Sequence, residues 1–114
     1  MNEVVFISLP MNGRKPLDIM EDLARARKAY MAMSDDYLRP FISFCHNFQP
    51  DIPAEENGAK KGQESVWYLG RALEAISKCD RVFFYGNWRN ARGCLIEHEI
   101  CEKYDIPYVE DGQA

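Results

Sequence analysis

The chain has 114 residues, of which 46% are hydrophobic and 28% charged, and its formal net charge is −4. That length suits a single domain, residues 1–114, and the composition excludes wholesale disorder. The acidic balance argues against a nucleic-acid polymer as partner, because duplex binding needs a basic surface to displace counterions; a small anion in a local basic pocket remains compatible with it.

Residues 3–8 are an apolar, β-branched and aromatic run bounded by Pro10 and Gly13, the pattern of a strand buried on both faces. Residues 9–16 carry Pro, Asn and Gly and read as a loop. From Pro16 a long helix is predicted, with Leu17, Met20, Leu23 and Ala24 at helical spacing and Asp18, Glu21 and Asp22 near the positive end of its dipole. It should fade at 33–35. Residues 40–45 form a second short strand. Residues 46–62 hold two prolines, an Asn-Gly pair and little periodicity, and so long a loop in a small domain is usually functional or mobile. Val66, Leu69, Leu73 and Ile76 then mark the buried stripe of a second helix. A third strand is expected at 81–86, a loop rich in Asn, Trp and Arg at 86–92, and a third helix from about 93 to 104. After a turn at 105–107 comes a final short strand at Tyr108 and Val109.

The order βαβαβαβ implies an α/β fold with a parallel sheet and helices on both faces. Right-handed crossovers narrow this to a Rossmann/flavodoxin-like three-layer sandwich with four parallel strands in the order 2-1-3-4. Ligands in such sheets bind beyond the carboxyl ends of the strands where the strand order reverses, here between strands one and three. The loops 9–15, 46–62 and 86–92 reach that crevice. Asp80, Asp35 and Asp36 fall at the opposite end. No apolar stretch is long enough to span a membrane, and the opening segment lacks the basic stretch and cleavage site of a secretory leader. A cytoplasmic location with four reduced cysteines is therefore expected.

Glu97 lies one turn into the third helix, on the crevice side, with Gly93, Cys94, Ile100 and Cys101 as its helical neighbours. On that small, apolar face desolvation would raise its pKa and the helix terminus would lower it. A poorly hydrated carboxylate is a suitable nucleophile for an acetal carbon. The plainer reading is that Glu97 caps or salt-bridges the helix start. Trp88, with Arg89 and Arg92, reads either as an aromatic platform with phosphate-gathering arginines or as a cover on the sheet end with solvated arginines. His46 could bond a ligand, and Trp67 and Tyr68 could pack on one, although ordinary packing accounts for all three. Cys94, His98 and Cys101, with Cys45 and His46, could be combined into a zinc site. No Cys-x-x-Cys pair supports it, so buried thiols are preferred and no metal or cofactor is expected.

The segment Ala91-Arg92-Gly93-Cys94-Leu95-Ile96-Glu97-His98-Glu99-Ile100-Cys101, with the opening Val4-Val5-Phe6-Ile7-Ser8-Leu9-Pro10-Met11-Asn12-Gly13, resembles the nucleoside 2-deoxyribosyltransferase-like superfamily. The closest likeness is to a small branch common in phage and bacterial genomes. It follows the element order over nearly the whole chain, but only those two segments and residues 78–83 are specific. The resemblance implies that Glu97 attacks the anomeric carbon of a nucleoside or nucleotide to give a covalent glycosyl-enzyme. It also implies that Ser8, Asn12, Gly13 and Arg14 contact base, sugar or phosphate and that Gly93 opens the helix that carries Glu97 beside the substrate; Trp88, Arg89 and Arg92 join the candidate binding residues through the place of their loop at the crevice. Relatives are oligomeric, so a homodimer or larger assembly is expected. Two departures stand out. Relatives usually carry an Asp on the second helix that helps protonate the leaving base, and Ala72 occupies that place. Asn90-Ala91-Arg92 also stands where an Asp or Ser often precedes the motif's Gly, and Glu99 replaces a usual Gly. Glu64, Glu99 and His98 are candidate substitutes for the acid, among which the sequence does not choose. The expected function is N-glycosidic cleavage or transfer through Glu97, with non-catalytic nucleotide binding in the same crevice as the alternative.

Overall fold

A six-residue apolar run, Glu3–Ser8, forms β1, the strand around which the sheet is assembled. The computed structural model describes residues 2–112. Along the chain follow α1 (Pro16–Ala32), β2 (Ile42–Cys45), α2 (Glu64–Ile76), β3 (Arg81–Phe84), α3 (Arg92–Lys103) and β4 (Tyr108–Glu110). Single 3₁₀ turns lie at Arg39–Phe41, Glu55–Asn57 and Trp88–Asn90. The four strands are parallel in the order β2-β1-β3-β4, with Ser8 opposite Phe84 and Phe6 opposite Cys45. This is the expected α/β architecture. β1 has a strand on each side and a helix layer on each face, which explains why its central residues read as a continuous apolar run.

The pleat divides the core in two. Val5, Ile7, Leu9 and Phe83 pack against Ile19, Leu23, Ala26 and Tyr30 of α1. Phe6, Val82 and Phe84 pack against Ala72 and Ile76 of α2, Cys94 and Cys101 of α3, and Trp88. The reversal of crossover direction after β2 therefore puts α1 alone on one face and α2 with α3 on the other.

The helices differ from the sequence reading in which stripe they bury. In α1, Leu17, Met20 and Ala24 are exposed, Leu17 at 71% and Met20 at 54%. The buried set is Ile19, Leu23, Ala26 and Tyr30. Both sets recur at helical spacing, and the sheet selects the one that carries the large Tyr30 ring, which stacks edge-on with Phe44 and Phe83. In α2, Ala72 and Ile76 are buried, Leu69 and Leu73 are half-buried, and Val66 is 68% exposed. Burial on that helix therefore grows from its first turn to its last. Two strands are also shorter than expected. The 3₁₀ turn around Pro40 delays β2 to Ile42, and Gly86, at φ +70°, turns the chain soon after Phe84. No described helix is long and apolar enough to cross a membrane.

Because Leu23 is buried and Leu17 is not, Leu23→Ala should destabilise the protein by about 2–5 kcal/mol. Leu17→Ala should stay within about 0.5 kcal/mol of wild type. Urea denaturation of both variants with unchanged slopes checks the assignment.

Candidate active site

The stripe of α3 that faces the sheet is Cys94, Glu97 and Cys101. Spacings of three and four put these side chains on one line down the helix. Two of the three places hold the small apolar residues that such a position favours, and the third holds a carboxylate that is only 8% exposed. A bare carboxylate is costly there unless it is hydrogen-bonded. Its partner comes from the carboxyl end of β1. Phe6 and Ser8 share one face of the pleat, the face covered by α2 and α3, so the Ser8 hydroxyl points at α3. It donates to Glu97 Oε1 at 2.7 Å. Ser8 is itself buried, and backbone pairing holds it in place, because its carbonyl accepts the Tyr85 N–H at 2.9 Å.

Burial pushes the Glu97 carboxyl up to about 7, against the opposing pull of the Ser8 hydrogen bond, which favours the charged form. The helix dipole, weighed in the sequence reading, has little hold here: Glu97 is the sixth residue of α3 and the effect fades within the first turn. Glu97 makes no ion pair among the described residues. Burial drives the neighbouring Cys94 thiol up to about 12, against a smaller opposing pull from Ser8, which leaves it neutral and unreactive.

Glu97 forms part of the wall of an open cavity of about 940 Å³ at the carboxyl edge of the sheet. The size is that of an ordinary small-molecule site. The first loop contributes Leu9 to Gly13, the long second loop Asn47 and Gly62, the third loop Asn90 and Ala91, and the start of α3 Arg92 and Gly93. Glu97 is the sole carboxyl and Arg92 the sole cation on the described wall; the other polar side chains there are neutral, among them Asn12, Asn47 and Asn90. The second loop is held to α2 by two contacts. Asn47 Nδ2 donates to the Tyr68 carbonyl at 2.7 Å, and the Tyr68 hydroxyl to the Ile52 carbonyl at 2.6 Å.

Of the residues singled out from sequence, Glu97, Ser8, Asn12, Gly13, Arg92 and Gly93 come together on this wall, and Arg14, Trp88 and Arg89 do not. Arg14 is spent on the protein itself: it donates to the Pro10 carbonyl at 2.8 Å and pairs with Asp22 at 2.7 Å. Burial pushes the Asp22 carboxyl up, but Arg14 and Arg25 together bring it below its ordinary value. Trp88 is a core residue, 3% exposed, stacked on His98 with centroids 4.7 Å apart and tilted on Phe84. Of its two sequence readings, this geometry is that of a cover on the sheet end. Arg89 lies over the outer face of that indole at 4.4 Å and reaches Glu110 at 3.3 Å.

The candidate acids are dispersed. His98 sits between Glu110 and Glu102 at 2.9 and 3.2 Å, and Glu99 is exposed beside Lys103. Glu64 has one buried carboxyl oxygen without a hydrogen-bond partner but lies off the wall. Ala72 is fully buried in the core. His46 accepts the Phe48 N–H, and burial with Arg27 nearby lowers its pKa. No group of three or more His, Cys, Asp or Glu among the described residues could hold a metal ion. Asp80 caps the far end of the sheet by accepting the Val4 N–H at 2.8 Å.

Sequence reasoning weighed Tyr68 as a ligand contact but preferred ordinary packing, and it missed Ser65, Val66 and Leu69, which with Tyr68 form one side of the cavity. The available signal was topological. A helix that leaves the carboxyl end of β2 must begin beside the crevice, so its first two turns belong to the site even when their periodicity looks like core.

Since the folded Glu97 pKa lies above its unfolded value, the native state holds an extra proton between about pH 4.5 and 7, and stability falls as pH rises through that window. Glu97→Gln should therefore stabilise the fold at pH 8, by an amount on the order of 3 kcal/mol at most, and give little gain at pH 4. Thermal melts of both proteins across pH check this. Ser8→Ala should move the carboxyl midpoint further up, as read by carboxyl-carbon NMR titration.

In comparison with known proteins, the chain matches no family model, no curated protein and no solved structure.

Proposed function

We propose that the protein cleaves or transfers the N-glycosidic bond of a nucleoside or nucleotide through Glu97. The observation that carries this reading is a single buried carboxylate, steadied on one oxygen by Ser8 and set in the wall of an open cavity of nucleoside size. The resemblance of the Gly93 to Glu97 segment to nucleoside 2-deoxyribosyltransferases supports it. In the first step a Glu97 carboxylate oxygen attacks the anomeric carbon, and the base departs with the bonding electron pair and takes up a proton from solvent in the open cavity. In the second step water or another base attacks the same carbon and frees the carboxylate. Ser8 donates to Oε1 and leaves Oε2 for the attack, and a pKa near 7 gives a substantial ionised fraction at neutral pH. Arg92 is the cation available to a substrate phosphate. Four free cysteines and a nucleotide ligand fit a reducing compartment such as the cytoplasm.

A second reading, nucleotide binding without turnover, is favoured by one observation. The wall offers no second carboxyl, and Ala72 fills the place where relatives carry an acid. A base is a poor leaving group without proton donation, which is worth about 10²–10⁴-fold in rate.

Incubation with deoxynucleosides and their 5′-monophosphates, followed by chromatography for free base and intact mass for a glycosyl adduct, separates the two. The enzyme reading expects base release that rises with pH up to about 7 and falls by roughly 10³-fold or more in Glu97→Ala. Release that survives Glu97→Ala overturns the covalent route. Thermal stabilisation by a nucleotide with no release identifies the binding module.

A further inference from the structure

Glu97 is the sole carboxyl on the described cavity wall, and the protons of its neighbours there are not available to a leaving base. The Tyr68 hydroxyl donates to the Ile52 carbonyl at 2.6 Å, and the Ser8 hydroxyl to Glu97 Oε1 at 2.7 Å. Burial pushes the Cys94 thiol up to about 12, the Ser65 hydroxyl is an ordinary alcohol, and the Arg92 guanidinium keeps its protons. A neutral purine or pyrimidine takes up a proton as it leaves, and a positioned donor of that proton is worth about 10²–10⁴-fold in rate. A base that already carries a fixed positive charge needs no donor. The electron pair of the breaking bond cancels its charge, and it departs neutral.

The lining is also polarised to suit such a base. Asn47 Nδ2 donates to the Tyr68 carbonyl at 2.7 Å, and Asn90 Nδ2 to Asn87 Oδ1 at 2.6 Å. Both wall carboxamides thus turn their nitrogen ends to the protein, and neither Oδ1 has a protein partner. With Glu97 they line the cavity with negative charge and oxygen dipoles, which attract a cation. The one positive group, Arg92, opens α3 five residues before Glu97, about 7.5 Å along the helix axis. That separation is of the order of the distance from an anomeric carbon to its 5′-phosphate. We propose that the substrate is a nucleotide whose base carries a fixed positive charge, either a pyridinium or an N7-alkylated purine. This substrate class rests on the Glu97 chemistry proposed above. A Glu97 oxygen bonds to the anomeric carbon as the carbon–nitrogen bond breaks, the electron pair passes to the ring nitrogen, and no proton moves. Water then attacks the same carbon, its proton goes to solvent, and the carboxylate is freed.

Two pairs of 5′-monophosphates, each differing in the charge of the base, test it with the full chain. Nicotinamide mononucleotide is set against its dihydro form, and 7-methyladenosine monophosphate against adenosine monophosphate. In at least one pair kcat/KM for base release should be roughly 10²-fold or more higher for the cationic member, and that pair names the source of the charge. Cationic bases also leave more readily in water, so the pH profile completes the test. Without a proton donor, release from the favoured substrate should rise through the Glu97 ionisation near pH 7 and stay level to about pH 8.5. A bell-shaped profile reveals a donor and overturns the proposal. Equal or slower release from both cationic members overturns it too, and leaves the Glu97 chemistry standing. No release from any of the four also overturns it, and release from neutral deoxynucleosides then decides whether the Glu97 chemistry stands.

Discussion

A carboxylate at a core-facing position of a helix, held by one hydroxyl, is the constraint to which the rest of this molecule is fitted. Glu97 occupies the line on α3 where Cys94 and Cys101 seal the sheet face. It can stand there because β1 ends in a serine rather than in another apolar residue, on the one pleat face that α3 covers. The placement depends on the central position of β1. Pairing with β2 on one side and β3 on the other fixes the height and facing of Ser8, and the Ser8 to Phe84 register sets it against the strand that leads into α3. A buried acid with its ionisation drawn toward neutrality is a departure from ordinary packing, and such departures gather where a protein acts on something else.

The polar groups around that acid are economical. Three arginines lie at the carboxyl edge of the sheet, Arg14 and Arg89 in its loops and Arg92 at the start of α3, and two of them serve the fold: Arg14 braces the first loop against α1, and Arg89 covers Trp88 and reaches β4. Trp88, His98 and Tyr108 form one aromatic brace with Phe84 between α3 and the edge strand β4. This brace keeps α3, and with it Glu97, at a fixed distance from the sheet. What is left to meet a ligand is a carboxyl, one guanidinium, several carboxamides and apolar surface.

Much of this was legible in the residues. The apolar run at 3–8, the turn residues after each strand and the alternation of periods led directly to the strand order. Topology then put Glu97 at the crevice and Asp80 at the far end. Illegible was anything that depends on choosing between equivalent options. The sequence of α1 offers two apolar stripes of the same spacing, and only the sheet, by accommodating the Tyr30 ring, decides between them. Val66 continues the α2 periodicity but is exposed on the wall of the cavity. Arginines in a binding loop look alike until their carboxylate partners are located, and Asp22 lies eight residues from Arg14 with a helix start between them. Trp88 was equally open, because an indole at a strand end suits a lid or a core equally well until His98 is seen to lie flat against it.

The tether from Arg14 to the Pro10 carbonyl and to Asp22 fastens the first loop at both its start and its far side. The loop that carries Asn12 and Gly13 is thereby ordered when the domain folds, not when a guest arrives. The entropy of fixing that segment is charged to the folding equilibrium. On the function proposed above, recognition at this edge is closer to a lock already cut than to a clasp that must be drawn shut, and its selectivity resides in the shape of the rim.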